Sequence, residues 1–277
     1  MKHEQQLSPG SKALNLLTVP ALEDGQGLGS SRAGDMLRGA KAVLLDWDGC
    51  ISINDRPMDS ALSFMNQHRG RIAVVSNNST LFPEELSLIL ARAGQEVAPR
   101  NVLLAGTEAI ARAVEIGASR VMVLGENRMK AYGRNQGLNI VREDADLVVL
   151  LRDTRFTYAK LERAANALRA GARLIVANPD LTHPGGKDRV VPETGALLAA
   201  LTACLGSRQI EMEVIGKPSR RLFEKACQEL RVNPSEAVMI GDNPATDIAG
   251  ADAIGLNSIL IGGPHGLSFD RLLDARA

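Results

Sequence analysis

The sequence predicts an α/β fold built on a mostly parallel sheet. Three observations carry that expectation. From Lys41 onward, short apolar runs alternate with amphipathic segments, the pattern of successive βαβ units. The first run, Ala42-Val43-Leu44-Leu45, is apolar at every position instead of every second one, as a strand buried on both faces must be. Several runs also end by delivering polar or charged residues, and the carboxyl ends of strands are where open α/β sheets bind ligands.

The 277 residues are enough for two domains or one large one, and 45% apolar with 23% charged residues is ordinary globular composition. Thirty-two basic against 32 acidic residues, with only 3% aromatics, argues against a nucleic-acid partner and for a small molecule. Cys50, Cys204 and Cys227 are odd in number and far apart, which indicates neither a disulfide frame nor a zinc site and fits a reducing cytoplasm. No apolar run approaches the ~18 residues of a membrane span, and the stretch 13–22 is too short and broken for a signal peptide. A soluble cytoplasmic protein with no membrane partner is expected.

In chain order, residues 1–40 carry turn signals without sustained periodicity and are expected to form an extension. Strands are expected at 42–45, 72–75, 102–104, 121–124, 147–150, 174–176, 214–215, 238–240 and 258–261, with helices between them. Leu222, Phe223, Ala226, Cys227 and Leu230, at i, i+1, i+4, i+5 and i+8, mark one such helix.

Four strand ends carry the chemistry. The first delivers Asp46-Trp47-Asp48-Gly49; carboxylates two residues apart fall on one side of the pleat and can converge on one ion or one reacting group. The alternative is an acidic turn in which Gly49 supplies a positive φ. The second, Ser76-Asn77-Asn78-Ser79-Thr80, precedes a helix start at Pro83. Its hydroxyls, amides and backbone N–H groups could cradle phosphate oxygens, or could simply cap the helix. The third is Gly216-Lys217-Pro218, where an ammonium could neutralise a phosphate and the carboxylate that attacks it, the alternative being a solvated lysine. In the fourth, Gly241-Asp242-Asn243-Pro244-Ala245-Thr246-Asp247, capping would explain Asp247 better than Asp242. Three carboxylates with a carbonyl and waters suit Mg²⁺, and no His/Cys cluster competes.

These four motifs, in this order, resemble those of the haloacid dehalogenase superfamily of phosphatases. The chain is similar in particular to the NagD-like branch, a resemblance that extends through the middle at Asn178-Pro179-Asp180 and Thr194-Gly195-Ala196. It covers roughly residues 41–261. The resemblance implies a Rossmann-like, doubly wound core of residues 41–116 and 209–277, with a smaller α/β cap inserted at 117–208. It implies a phosphatase that hydrolyses a small-molecule phosphate monoester, and a homodimer formed through the cap is compatible with it. Asp46 would be the nucleophile that forms an aspartyl-phosphate, and Asp48 the acid and then the base. Asp46, the Asp48 carbonyl and Asp242 would hold Mg²⁺, with Asp247 and Asn243 behind them. Ser76, Asn77, Asn78 and Lys217 would bind the phosphoryl group. His183, Asp180 and Arg152 of the cap would set specificity. At Leu150-Leu151-Arg152-Asp153 the chain departs from the branch's pattern, and Arg152 would favour an anionic ester. A receiver-type signalling domain uses similar groups but needs only ~120 residues and no inserted domain. A catalytically silent phosphate-binding protein on the same fold is the other alternative.

Overall fold

The computed structural model describes residues 30–53, 56–185 and 189–274. In chain order they form α1 (Ser30–Gly39), β1 (Ala42–Leu45), β2 (Ser52–Ile53), β3 (Arg56–Pro57), α2 (Asp59–Gln67), β4 (Ile72–Ser76), α3 (Pro83–Arg92), β5 (Val102–Leu104) and α4 (Ala105–Ile116). A second group follows: β6 (Val121–Leu124), α5 (Asn127–Asn135), β7 (Leu147–Leu150), α6 (Tyr158–Arg169), β8 (Arg173–Val176), β9 (Thr182–Gly185), β10 (Arg189–Pro192), α7 (Thr194–Leu205) and β11 (Met212–Val214). The chain closes with α8 (Arg220–Leu230), β12 (Ala237–Gly241), α9 (Ala249–Asp252), β13 (Asn257–Leu260) and α10 (Phe269–Asp274). Among the described residues no helix is long and apolar enough to cross a membrane.

The first sheet has the order β13-β12-β1-β4-β5, with every pair parallel. Its central strand alternates between two cores. Val43 and Leu45 pack on one face with Phe64, Leu86 and Leu37, while Ala42 and Leu44 pack on the other with Phe223 and Ala226. Burial on both faces is why β1 is apolar throughout. From β1 the chain runs outward through β4 and β5, then returns to lay down β12 and β13 on the opposite side. The carboxyl end of β1 is therefore a topological switch point, where a crevice opens between diverging connections. Leu45 is in register with Val74 on one side and Ile240 on the other, so the segments following β4 and β12 flank Asp46.

The second sheet, β11-β8-β7-β6, is also all parallel. Helix α4 joins the two sheets: Ala109, Ile110 and Ala113 are buried in one core with Leu44 and Val75 of the first sheet and Val121, Val149 and Ile175 of the second.

Two elements differ from the sequence expectation. The strand expected at 214–215 lies in the second sheet, where Met212–Val214 pairs with β8, so that sheet runs past residue 208. A strand of only three residues, Met212-Glu213-Val214, carries no information about which of two parallel sheets it joins. The end of the expected extension is also helical. Residues Ala33, Leu37 and Ala40 of α1 and the turn after it bury against the first sheet's core, as a stripe too short to register as sustained periodicity. The rest of the extension lies outside the described residues.

Candidate active site

The end of β1 turns sharply. Asp46 donates its N–H to the Ile240 carbonyl at 3.0 Å, still continuing the ladder, and then the Ser52 N–H bonds the Trp47 carbonyl at 2.9 Å while the Gly49 N–H bonds the Ser52 carbonyl at 2.8 Å. Gly49 is required twice over. Its φ is +91°, and a Cβ there would stand 2.3 Å from Asp242 Oδ2. The turn leaves Asp46 buried and Asp48 exposed at the rim.

Lys217 organises the buried side. Its Nζ lies 2.5 Å from Asp46 Oδ1 and 2.6 Å from Asp247 Oδ1, and its side chain is 2% exposed. Burial alone would pull the ammonium down, but Asp247 and Asp46 outweigh it and hold the Lys217 pKa far above the usual lysine range. The carboxyl of Asp46 is raised well above its usual range by burial and by repulsion from Asp247 and Asp242, against the pull of Lys217. Asp242 is raised for the same reasons, burial first and Asp247 second. Ligand atoms from Asp46, Asp242 and Asp247 all lie within 4.8 Å of one another. Asp247 is held from behind: its Oδ2 accepts from the Asn243 N–H at 3.1 Å, and Asn243 in turn caps the following turn by accepting from the Ala245 N–H.

The segment after β4 divides its labour. Ser76 Oγ accepts from the Asn78 N–H at 3.0 Å and makes a long contact of 3.5 Å with Asp48 Oδ2, which brings it to the rim of the site. Asn78 Oδ1 accepts from the Thr80 N–H, the Thr80 hydroxyl and the Leu81 N–H, so its side chain is spent as a turn cap, the structural alternative offered by the sequence. Asn77 spends its amide on the second sheet. Its Oδ1 accepts from the Lys217 N–H at 2.7 Å, and its Nδ2 donates to the Lys217 carbonyl and to Asp180 Oδ2. Gly216 makes that approach possible, since a Cβ there would stand 2.4 Å from Asn77 Oδ1. Lys217 therefore reaches the carboxylates from the edge strand of the second sheet, not from a fourth strand of the first.

Asp180 is thus a tether to Asn77, and burial raises its carboxyl. The other two residues expected to set specificity meet through a third. Glu193 Oε1 lies 2.6 Å from His183 Nδ1 and 3.5 Å from Arg152 Nε, and the Arg152 N–H donates to Ser79 Oγ at 3.1 Å. Sequence reasoning missed Glu193 because an acid directly before a helix, α7, reads as a dipole partner. Its carboxyl is raised by burial, with Arg152 and His183 pulling the other way.

A buried lysine shared by two aspartates, beside a third aspartate and a serine at one switch point, is suited to handling a phosphoryl group. A family model described as haloacid dehalogenase-like hydrolase matches residues 40–255. The chain belongs to this family. This haloacid dehalogenase-like hydrolase is 31% identical over 232 residues to an acid sugar phosphatase of Staphylococcus haemolyticus, covering 80% of this chain and 85% of that one. It superposes on the p-nitrophenyl phosphatase of Archaeoglobus fulgidus with a TM-score of 0.73 at 29% identity, over 85% and 90% of the two chains. On a glycerol phosphate phosphatase from Mycobacterium tuberculosis, in complex with magnesium, the TM-score is 0.74 at 26% identity, over 86% and 78%. The family and these relatives make the chain a phosphatase, a hydrolase of phosphate monoesters, and the similarity to the NagD-like branch holds.

Proposed function

We propose that this phosphatase hydrolyses a small phosphorylated sugar or polyol in a Mg²⁺-dependent reaction that passes through an acyl phosphate on Asp46. The observation that carries the reading is the Lys217 ammonium held between Asp46 and Asp247, at 2.5 and 2.6 Å. Such a cation fixes the orientation of Asp46 and offsets charge that would otherwise repel a phosphate dianion.

The residues present fit a hard divalent ion. The ligands on offer are all oxygens, as such an ion prefers, and carboxylate oxygens of Asp46, Asp242 and Asp247 lie within 4.8 Å of one another. Asp46, Asp242 and the Asp48 carbonyl would hold the ion. Asp247, whose oxygens already face Lys217 and the Asn243 N–H, would orient the ligands from behind. When bound, the ion would neutralise phosphoryl oxygens and align the ester.

The chain's own groups perform the rest. The Asp46 carboxylate attacks phosphorus as the bond from phosphorus to the ester oxygen breaks, and Asp48 passes its proton to that oxygen, releasing the alcohol. Asp48 then takes a proton from the water that attacks the acyl phosphate, freeing inorganic phosphate and regenerating Asp46. The Ser76 hydroxyl and the Lys217 ammonium donate to phosphoryl oxygens in both steps. The inserted cap of 117–208, together with β11, covers the site. His183 and Arg152, anchored through Glu193, contact the alcohol portion of the ester. The names of the relatives, an acid sugar phosphatase and a glycerol phosphate phosphatase, support that substrate class. Turnover of p-nitrophenyl phosphate tests the reading: many cycles per chain, lost in chelator and regained with Mg²⁺, are expected. Release of a single equivalent of nitrophenol would make the protein a phosphate-binding or signalling relative.

A further inference from the structure

A cavity of about 560 Å³ opens at the outer edge of the second sheet, and five cations line it: Lys130 and Arg134 of α5, Arg142, and Lys160 and Arg163 of α6. It is separate from the site above. None of the residues assigned to the carboxylate cluster or the phosphoryl cradle lines it, and it borders β6, whereas Lys217 follows β11 at the opposite edge of the same sheet.

Two of the five cations are partnered. Lys160 Nζ lies 2.7 Å from Asp153 Oδ2, and Arg163 Nε lies 3.5 Å from Glu143 Oε1. No described carboxylate lies within 4 Å of Lys130, Arg134 or Arg142, which leaves three cations unmatched around one concavity. Burial, followed by the crowding of Lys160, Arg134 and Arg142, pulls the half-buried Lys130 ammonium below its usual range, with Asp153 opposing. Positive charge gathered this way is a cost to the folded chain unless an anion offsets it.

The floor is of a different character. Met122 and Leu124 of β6 are buried apolar residues, with half-buried Ile140 and Val141 beside them. Val121 donates its N–H to the Asn139 carbonyl and accepts from the Val141 N–H, and alternation along the strand turns the same groups of Val123 to the same edge, where Val123 lines the cavity. An apolar wall with directed backbone groups and a ring of cations suits an organic phosphate better than a bare inorganic ion. The volume lies within the range of small-molecule sites, about 300–1,000 Å³. A phosphate group carries roughly −1.5 to −2 charges, so two of them balance three cations.

We propose that this cavity is a second ligand site of the protein, for an organic diphosphate of nucleoside-diphosphate size. Calorimetric titration of the full chain with ADP, in excess chelator so that no turnover occurs, tests it. One ADP per chain is expected, with affinity that falls as salt is raised. Arg134→Glu/Arg142→Glu should weaken binding by at least about tenfold, the effect of losing a charged hydrogen bond. Ser76→Ala, at the candidate active site, should leave it unchanged. Both arginines are exposed, so the double variant should melt no lower than the wild-type chain and keep the kcat for p-nitrophenyl phosphate. Arg134→Ala/Arg142→Ala replaces it if the charge reversal lowers the melting temperature, with the same expected direction. No ADP binding by the wild-type chain would overturn the proposal, as would binding lost in Ser76→Ala but kept in the double variant. Binding of an oligouridylate without binding of ADP would also overturn it, and would make the patch an RNA surface.

Discussion

Replacing Lys217 by Met keeps most of the stem volume and removes only the ammonium, so it isolates the charge at the centre of the site. In the wild-type chain that ammonium meets Asp46 and Asp247 at 2.5 and 2.6 Å, with all three side chains 7% exposed or less. Each pair is worth about 6 kcal/mol gross at an effective dielectric of ~20, and desolvation offsets much of it. Breaking a buried pair costs about 3–5 kcal/mol, because the surviving charges have no partner. The pH dependence follows from the same charges. Asp46 is already raised by burial and by its acidic neighbours, and it rises further without Lys217. In the variant the folded state therefore keeps protons that the unfolded chain releases, and stability falls as pH rises above the ordinary carboxylate range of about 4. Urea denaturation in chelator, at about pH 5 and about pH 7.5, should show the loss larger at the higher pH with m unchanged. Turnover should fall by about 10²–10³. A loss below about 1 kcal/mol at neutral pH, or an equal loss at both pH values, would refute the reasoning.

Gly49→Ala places a methyl 2.3 Å from Asp242 Oδ2 at a φ of +91°; it should cost about 1–2 kcal/mol in denaturation and weaken Mg²⁺ activation as Asp242 is displaced. His183→Ala removes one partner of Glu193 and should lower kcat/KM for the preferred polyol or sugar ester by about 1–3 kcal/mol, with a much smaller change for p-nitrophenyl phosphate. Equal losses on both esters in steady-state kinetics would remove His183 from the specificity contacts.

Much of this was legible in the residues because the first sheet buries both faces. Its inner strands β1, β4 and β12 are apolar up to their last residue, and the polar residue that ends each run marks a carboxyl end, so Asp46, Ser76 and Asp242 could be placed at the sheet edge from sequence alone. What the sequence withheld was choice among equivalent partners. Met212–Val214 could join either parallel sheet, and pairing with β8 sends Lys217 in from the second one. Asn77 and Asn78 are the same residue type side by side, yet one bridges to Lys217 and Asp180 while the other closes a turn. Glu193 looked like an ordinary acid at a helix start until folding set it between His183 and Arg152. Such roles depend on contacts across more than a hundred residues for Asn77, or about forty for Glu193, and no local spacing encodes them.

The central claim is that Asp46 carries the phosphoryl group, and acid-quenched phosphopeptide mapping during turnover tests it most directly. The account predicts a phosphorylated aspartate in the peptide containing Asp46, accumulating in Asp48→Asn, which slows its hydrolysis, and absent in Asp46→Asn. A phosphoryl group on another residue, or full turnover by Asp46→Asn, would contradict it.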